Sequence, residues 1–276
     1  MTGRDDDAEI GRLPDHLTPF IRGTALVART ALRGLSRIRV EGALDQIPRQ
    51  GPLIIAANHL SNADGVLVGG WLTPALDRRI HWLGKREMVD WPILGQLARA
   101  GSVHPVDRGT ADIEAFRLAQ RILDEGHVLV IFPEGTRSPT GALQEAKDGL
   151  SILALRTGAT ILPVGVAGTD RFWPRGRFPR PGGRLTLRVG EAFRLADILP
   201  PDVDRRTAKG LATTAIMARI AALLPARHRG FYADAATQLE RGEESPATPP
   251  TDQPAAPKRR TRRKPPASES KRGGPA

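Results

Sequence analysis

Apolar residues arrive along this chain in short runs, separated by stretches in which they recur every three or four positions. Runs at 53–57, 79–83, 103–106, 128–132, 161–166 and 185–189 read as short strands. Between most of them, 65–76, 87–99, 111–125 and 143–157 read as helices, and a last helix is expected at about 207–224. That alternation predicts one α/β domain with a largely parallel central sheet covered by helices. Ligands of such sheets bind at the carboxyl ends of strands. The polar residues that follow 53–57 and 128–132 are therefore the ones placed to do chemistry.

A further helical pattern covers residues 18–38, with Thr18 suited to its cap and Pro19 to its first position. At about 100° per residue, Arg22, Arg29, Arg33 and Arg37 fall within a sector of roughly 80°. Phe20, Ile21, Val27, Leu32, Leu35 and Ile38 lie opposite, and Leu26 is the exception. A basic amphipathic helix either lies in a membrane interface or packs on the domain with its arginines in water.

Composition changes the picture mainly at the ends. The net charge is +11, and from Gln253 onward there are eight Lys/Arg against one Glu, so about +7 of it belongs to the tail. Rich in Pro, Ala, Ser, Lys and Arg, the tail has too little apolar surface to offset the entropy of ordering it. The expected organisation is a flexible start at 1–15, the amphipathic helix at 16–40, the folded domain at 41–230 and a mostly disordered tail at 231–276. There is no cysteine, which excludes disulfides and thiolate metal sites. The acidic N-terminus has no secretory-signal core. No apolar run approaches the roughly 20 residues a membrane-spanning helix needs. The expectation is a cytoplasmic protein, peripheral on the inner face of the membrane.

Two polar clusters carry candidate chemistry. The first is Asn58-His59-Leu60-Ser61-Asn62-Ala63-Asp64, directly after the 53–57 run. On one continuous helix, His59 and Asp64 would point about 140° apart. They meet only if His59 sits in the turn and Asp64 in the first helical turn, as Ser61-x-x-Asp64 allows, since it resembles a capping box. Asp64 as a plain helix cap and His59 as a satisfied loop residue stay open on these residues alone. The second cluster is Phe132-Pro133-Glu134-Gly135-Thr136-Arg137-Ser138, in which Pro133 ends a strand and Arg137 supplies a guanidinium suited to phosphate. An exposed turn with Arg137 in water is the alternative. A third segment, 171–180, mixes cations with aromatics without a regular period; it fits anionic lipid, the phosphates of an acyl donor, or a solvated loop.

The order Asn-His-x-Ser-x-x-Asp, then Val106-Asp107-Arg108, then Phe-Pro-Glu-Gly-Thr-Arg-Ser, then the Pro-containing strand Ile161-Leu162-Pro163-Val164 resembles the glycerolipid acyltransferases typified by 1-acylglycerol-3-phosphate acyltransferase. The resemblance runs over about residues 38–195. It implies that His59 is the general base and that Asp64 fixes its tautomer. It also implies that Arg108, Glu134, Gly135, Thr136 and Arg137 hold the acceptor's phosphate, that Pro163 lies near the acyl chain, and that Lys85 belongs to a further recurrent segment. In that pattern a glycine stands six residues before the arginine of the second block. Here Ser102 stands there, with Gly101 one residue earlier, which implies a shifted turn.

The implied reaction moves a fatty acyl group from acyl-CoA or acyl-carrier protein to the free hydroxyl of 1-acylglycerol 3-phosphate, giving phosphatidic acid. An alcohol attacking a thioester must lose its proton, and a neutral imidazole, with a reference pKa of about 6.5, can take it. No cofactor and no metal is called for: there is no Gly-x-Ser-x-Gly elbow and no His-Glu-x-x-His motif. Another lysophospholipid, glycerol 3-phosphate or a glycolipid would use the same machinery. A different class of protein, a non-catalytic binder of polyanions through the basic tail, is the rival. After Tyr232 the tail has no aromatic residue for base stacking, so an anionic membrane surface is its expected partner rather than nucleic acid.

Overall fold

Leu53–Ala57 form the strand on which the domain is built, and all five residues are buried. The structure, a computed structural model, describes residues 13–42, 44–86, 96, 98, 100–106 and 112–242. Arg108, most of the helix expected at 87–99 and the tail from residue 243 lie outside them. In chain order the elements are α1 (Pro19–Leu35), β1 (Arg37–Glu41), β2 (Leu53–Ala57), α2 (Ala63–Leu76), β3 (Ile80–Lys85) and β4 (Val103–Val106). There follow α3 (Asp112–Asp124), β5 (Val128–Ile131), α4 (Gly149–Thr157), β6 (Thr160–Ala167), α5 (Thr169–Phe172) and β7 (Arg184–Val189). The last three helices are α6 (Arg205–Ala222), α7 (Ala226–Arg229) and α8 (Ala233–Glu240).

The seven strands form one sheet in the order β1-β7-β6-β2-β5-β3-β4. Strands β6, β2, β5, β3 and β4 run parallel. β7 runs antiparallel to β6, and β1 parallel to β7. The carboxyl ends of five strands and the amino ends of β7 and β1 therefore share one edge.

Side chains alternate across β2 and divide the core. Leu53, Ile55 and Ala57 join Leu67, Val68, Trp71 and Leu72 of α2 on one face. Ile54 and Ala56 join Ile122 and Leu123 of α3, Leu150 and Leu153 of α4, and Ile216 and Ile220 of α6 on the other. A strand buried on both faces reads as an unbroken apolar run, which is why β2 is legible in the sequence.

Three elements differ from expectation. Residues 37 and 38 are not helical: α1 stops at Leu35, Ser36 is extended and its Oγ donates to Gly182 O, and Arg37–Glu41 pair with β7. The stretch 143–148 is a strap rather than the start of α4, since its backbone bonds outward: Leu143 N–H donates to His228 O, and Lys147 N–H to Pro133 O. Ordered packing continues beyond residue 230, where Tyr232 is buried, accepts the Ala146 N–H at 3.0 Å, and leads into α8 against α6.

Helix α1 has three faces. Ile21, Ala25 and Leu32 are buried. Arg29 and Arg33 lie over the Trp71 ring at 5.7 and 5.6 Å, and Arg22 pairs with Asp77 at the surface, so the basic face touches the domain while Arg22 and Arg33 stay exposed to water. Phe20, Leu26, Val27 and Leu35 are left uncovered, Val27 by 68%. Among the described residues no helix is long and apolar enough to cross a membrane.

Ser102 takes a φ of 62°, the left-handed region that favours glycine, while Gly101 does not. The serine adopts it at about 1–2 kcal/mol of strain.

His81 is fully buried, its Nδ1 2.9 Å from His104 Nε2 and its ring 5.2 Å from that of His127. Burial, with the neighbouring histidines and Arg79 adding to it, lowers the His81 pKa from 6.5 to about 4. The folded protein therefore binds this proton less readily than the unfolded chain. The stability contributed is complete above the unfolded value and is lost as pH falls through the window from 6.5 to about 4. Denaturant titrations across that window should show a falling midpoint, with a shallower fall in His81→Gln; equal slopes would remove His81 from the acid response.

Candidate active site

At the end of β2 the chain turns through Asn58 to Asn62 before entering α2, and hydrogen bonds fix almost every polar group of the turn. Asn58 is buried and spans to β6, donating to Val166 O at 2.9 Å and accepting the Val166 N–H at 2.7 Å. Asp64, in the first turn of α2, is fully buried. Its Oδ2 accepts the Leu60 N–H at 2.6 Å, the Ser61 N–H at 2.7 Å and His59 Nδ1–H at 2.8 Å. Its Oδ1 accepts the Thr169 hydroxyl. Four donors to one carboxylate satisfy a charge that would otherwise be costly to bury. Asp64 thus does both things left open above: it ties the turn at the start of α2, and it orients His59.

The imidazole of His59 stacks on Phe132 with centroids 4.1 Å apart. Its Nδ1 faces Asp64, so Nε2 is the free acceptor, with no hydrogen-bond partner among the described residues. The side chain is 22% exposed, enough for a substrate hydroxyl to reach it. A neutral imidazole in one tautomer, anchored on one nitrogen and open at the other, is the arrangement a general base requires.

The turn after β5 is stitched to this one. Glu134 Oε1 accepts the His59 N–H at 2.8 Å, Ser138 N–H donates to His59 O at 2.8 Å, and Arg137 Nη1 donates to Asn62 Oδ1 at 2.9 Å. The two clusters, 75 residues apart in sequence, are one structure. Gly135 has φ 66°, and a Cβ there would lie 3.2 Å from Lys147 Cδ and Cε. Lys147 therefore lies against the turn that carries Arg137, and neither cation has a carboxylate partner among the described residues. Thr136 is half-buried on the same turn.

Not every expected residue is where the resemblance puts it. Glu134 is buried and uses both oxygens on backbone N–H groups, those of His59 and Gln144. Burial holds its carboxyl above the usual carboxylate range, against those two bonds. It braces the turn through those two bonds. Pro163 is buried mid-strand in β6, opposite Ala56, with its ring against Gly190; it lies inside the sheet rather than at the cleft. Lys85 closes β3, and its side chain, like the whole of Arg108, is outside the described residues. His104 pairs with His81 in the core.

Three contributors escaped the sequence reading. Thr169 touches the buried Asp64 from 105 positions away, a distance no local pattern spans. Trp173 O accepts from Ser61 Oγ, also across the sheet edge. Lys147 sat inside a stretch read as helix, which concealed its place over Gly135. Because Thr169 supplies one of four donors, Thr169→Val should lower stability by about 1–3 kcal/mol. It should slow turnover less than loss of His59; unchanged melting and unchanged activity together would take Thr169 out of the constellation.

Comparison with known proteins points one way. The family model described as Acyltransferase matches residues 37–167. A 1-acyl-sn-glycerol-3-phosphate acyltransferase of Limnanthes alba is 36% identical over 130 residues, covering 45% of this chain and 44% of that protein. The chain thus spans less than half of that relative. A lyso-ornithine lipid O-acyltransferase of Rhizobium meliloti is 30% identical over 235 residues, 76% of each chain. Among solved structures, the 1-acyl-sn-glycerophosphate acyltransferase of Thermotoga maritima aligns over 71% of this chain and 78% of its own, at 26% identity and a TM-score of 0.56.

Proposed function

Starting from the fact that the chain belongs to the acyltransferase family, we propose that it transfers a fatty acyl group from a thioester, acyl-CoA or acyl-carrier protein, to the free hydroxyl of 1-acylglycerol 3-phosphate. The observation that carries this reading is the His59–Asp64 pair, open at Nε2, joined by three hydrogen bonds to the turn that bears Arg137.

The acceptor's phosphate lies against Arg137 and Lys147, which leaves its hydroxyl facing His59. As the oxygen attacks the thioester carbonyl, its proton passes to Nε2, and Asp64 stabilises the imidazolium that forms. The tetrahedral intermediate collapses by breaking the C–S bond, and the thiolate takes the proton back from Nε2. Base and acid are thus one residue, and the enzyme ends as it began.

A second acceptor is favoured by the longest of these matches, that to the lyso-ornithine lipid acyltransferase. Its headgroup is built on ornithine, so the same base would serve while the cation pair would matter less. In either case the enzyme acts as a peripheral protein on the inner, anionic face of the membrane. The uncovered side of α1, with Phe20, Leu26 and Val27, supports that placement.

With purified protein and both acceptors, His59→Ala should lose about 10²–10⁴ in kcat while its melting is retained. Arg137→Ala should raise KM for 1-acylglycerol 3-phosphate by about tenfold, the worth of one charge-assisted contact. Turnover of the lyso-ornithine lipid alone would move the acceptor to the second reading, and full activity in His59→Ala would end the base-catalysed account.

A further inference from the structure

On the β1–β7 side of the same sheet edge the surface is concave. Two adjoining hollows, of ≈ 870 and ≈ 350 Å³, share the wall 181–184. The smaller is lined by Arg171, Arg180, Arg184 and Arg227, and neither hollow has an aspartate or glutamate in its lining. These four guanidiniums make no ion pair or hydrogen bond with any described residue. Unpaired like charges gathered in one hollow repel each other, an arrangement that a bound polyanion relieves.

The frame that gathers them is fixed by backbone. Gly168 has φ 88°, and a Cβ there would lie 2.1 Å from Arg184 O, so the end of β6 presses directly on the start of β7. Arg180 N–H donates to Phe172 O at 2.7 Å, Gly182 N–H to Leu35 O at 2.6 Å, and Arg37 N–H to Gly183 O at 3.0 Å. The arginine-bearing loop is thereby tied to α5 at one end and to α1 and β1 at the other. Helix α5 also forms part of the dyad's support: its first residue, Thr169, bonds Asp64, and Trp173 just after it accepts from Ser61. One short helix thus carries both a support of the dyad, Thr169, and an arginine of the hollow, Arg171. Two residues before Arg180, Phe178 is 90% exposed, an aromatic face in the basic loop.

We propose that this hollow holds the phosphorylated end of the acyl donor, the 3′-phosphate and pyrophosphate of coenzyme A, while the pantetheine arm passes α5 to bring the thioester to His59. The assignment rests on the acyl-transfer reading and adds the donor's identity to it. Planar guanidinium forks match phosphate oxygens, the hollow has the size of a small-ligand site, and Phe178 offers a stacking face for the adenine. An anionic lipid surface would meet the same charges, but a surface calls for a flat or convex patch, and these arginines face into a concavity.

The test compares the full-length protein with an Arg180→Gln/Arg227→Gln variant by calorimetry and kinetics. Coenzyme A alone should bind the wild type and bind the variant about tenfold or more weakly, as two charge-assisted contacts imply. The kcat/KM ratio of acyl-CoA over acyl-pantetheine, which lacks the nucleotide, should fall by a similar factor. Inorganic phosphate should not compete at equal concentration, and association with phosphatidylglycerol vesicles should be retained. Loss of vesicle association with coenzyme A affinity unchanged would make the hollow a headgroup site and overturn the proposal, as would a wild type that does not bind coenzyme A. Weakening with acyl-carrier protein but not with acyl-CoA would overturn it in favour of the carrier. If wild type binds coenzyme A through these arginines yet transfers no acyl group, the pocket stands and the acyl-transfer reading falls.

Discussion

A carboxylate sealed inside the protein has to be answered by donors, and Asp64 is answered by four: two backbone N–H groups, the His59 ring and the Thr169 hydroxyl. Each of those donors belongs to a piece of chain whose position would otherwise be free. The backbone pair shapes the turn out of β2, the threonine draws in the segment after β6, and the imidazole has its tautomer chosen for it. Removing the carboxylate would leave these buried donors unpaired, so the geometry of the base and the stability of the edge are the same property.

From this follows a division of labour along the sheet edge. In the proposed reaction, proton transfer belongs to the centre, over β2, at the buried and hydrogen-bonded Asp64. The cations proposed to recognise charge lie to either side: Arg137 and Lys147 about the turn after β5, and the arginines around α5 beyond β6. The reversal of β7 and β1 matters here, because it brings the amino-terminal ends of two strands, with Arg184 and Arg37, to the edge where the other five strands end. An all-parallel sheet would have put those residues at the far side.

Much of this was legible in advance, for physical reasons. Strands buried on both faces are apolar runs, so β2 and β5 could be read to within a residue or so. The Ser61-x-x-Asp64 spacing allowed His59 and Asp64 to meet at the start of α2, while their roles as base and orienting group came from the resemblance. What could not be read was whatever tertiary contact decides. Ile38 and Val40 alternate as a strand does, yet the helical period before them carried the reading through Ile38; only β7 alongside makes that segment a strand. Likewise the 143–148 stretch has helical composition, but its N–H groups find partners in Pro133, His228 and Tyr232 instead. Glu134 shows the limit most clearly. Its place in the motif is local information, whereas its role, two bonds to backbone in the buried interior, depends on which loop packs against it.

The central claim is that Asp64 holds the proton on Nδ1 of His59 and leaves Nε2 free to act as the base. Nitrogen-15 NMR of histidine-labelled protein, at a pH where the imidazole is neutral, reads this directly. The account predicts a protonated Nδ1 coupled to an unprotonated Nε2 for His59, and loss of that preference in Asp64→Asn. A wild-type ring carrying its proton on Nε2 would contradict it.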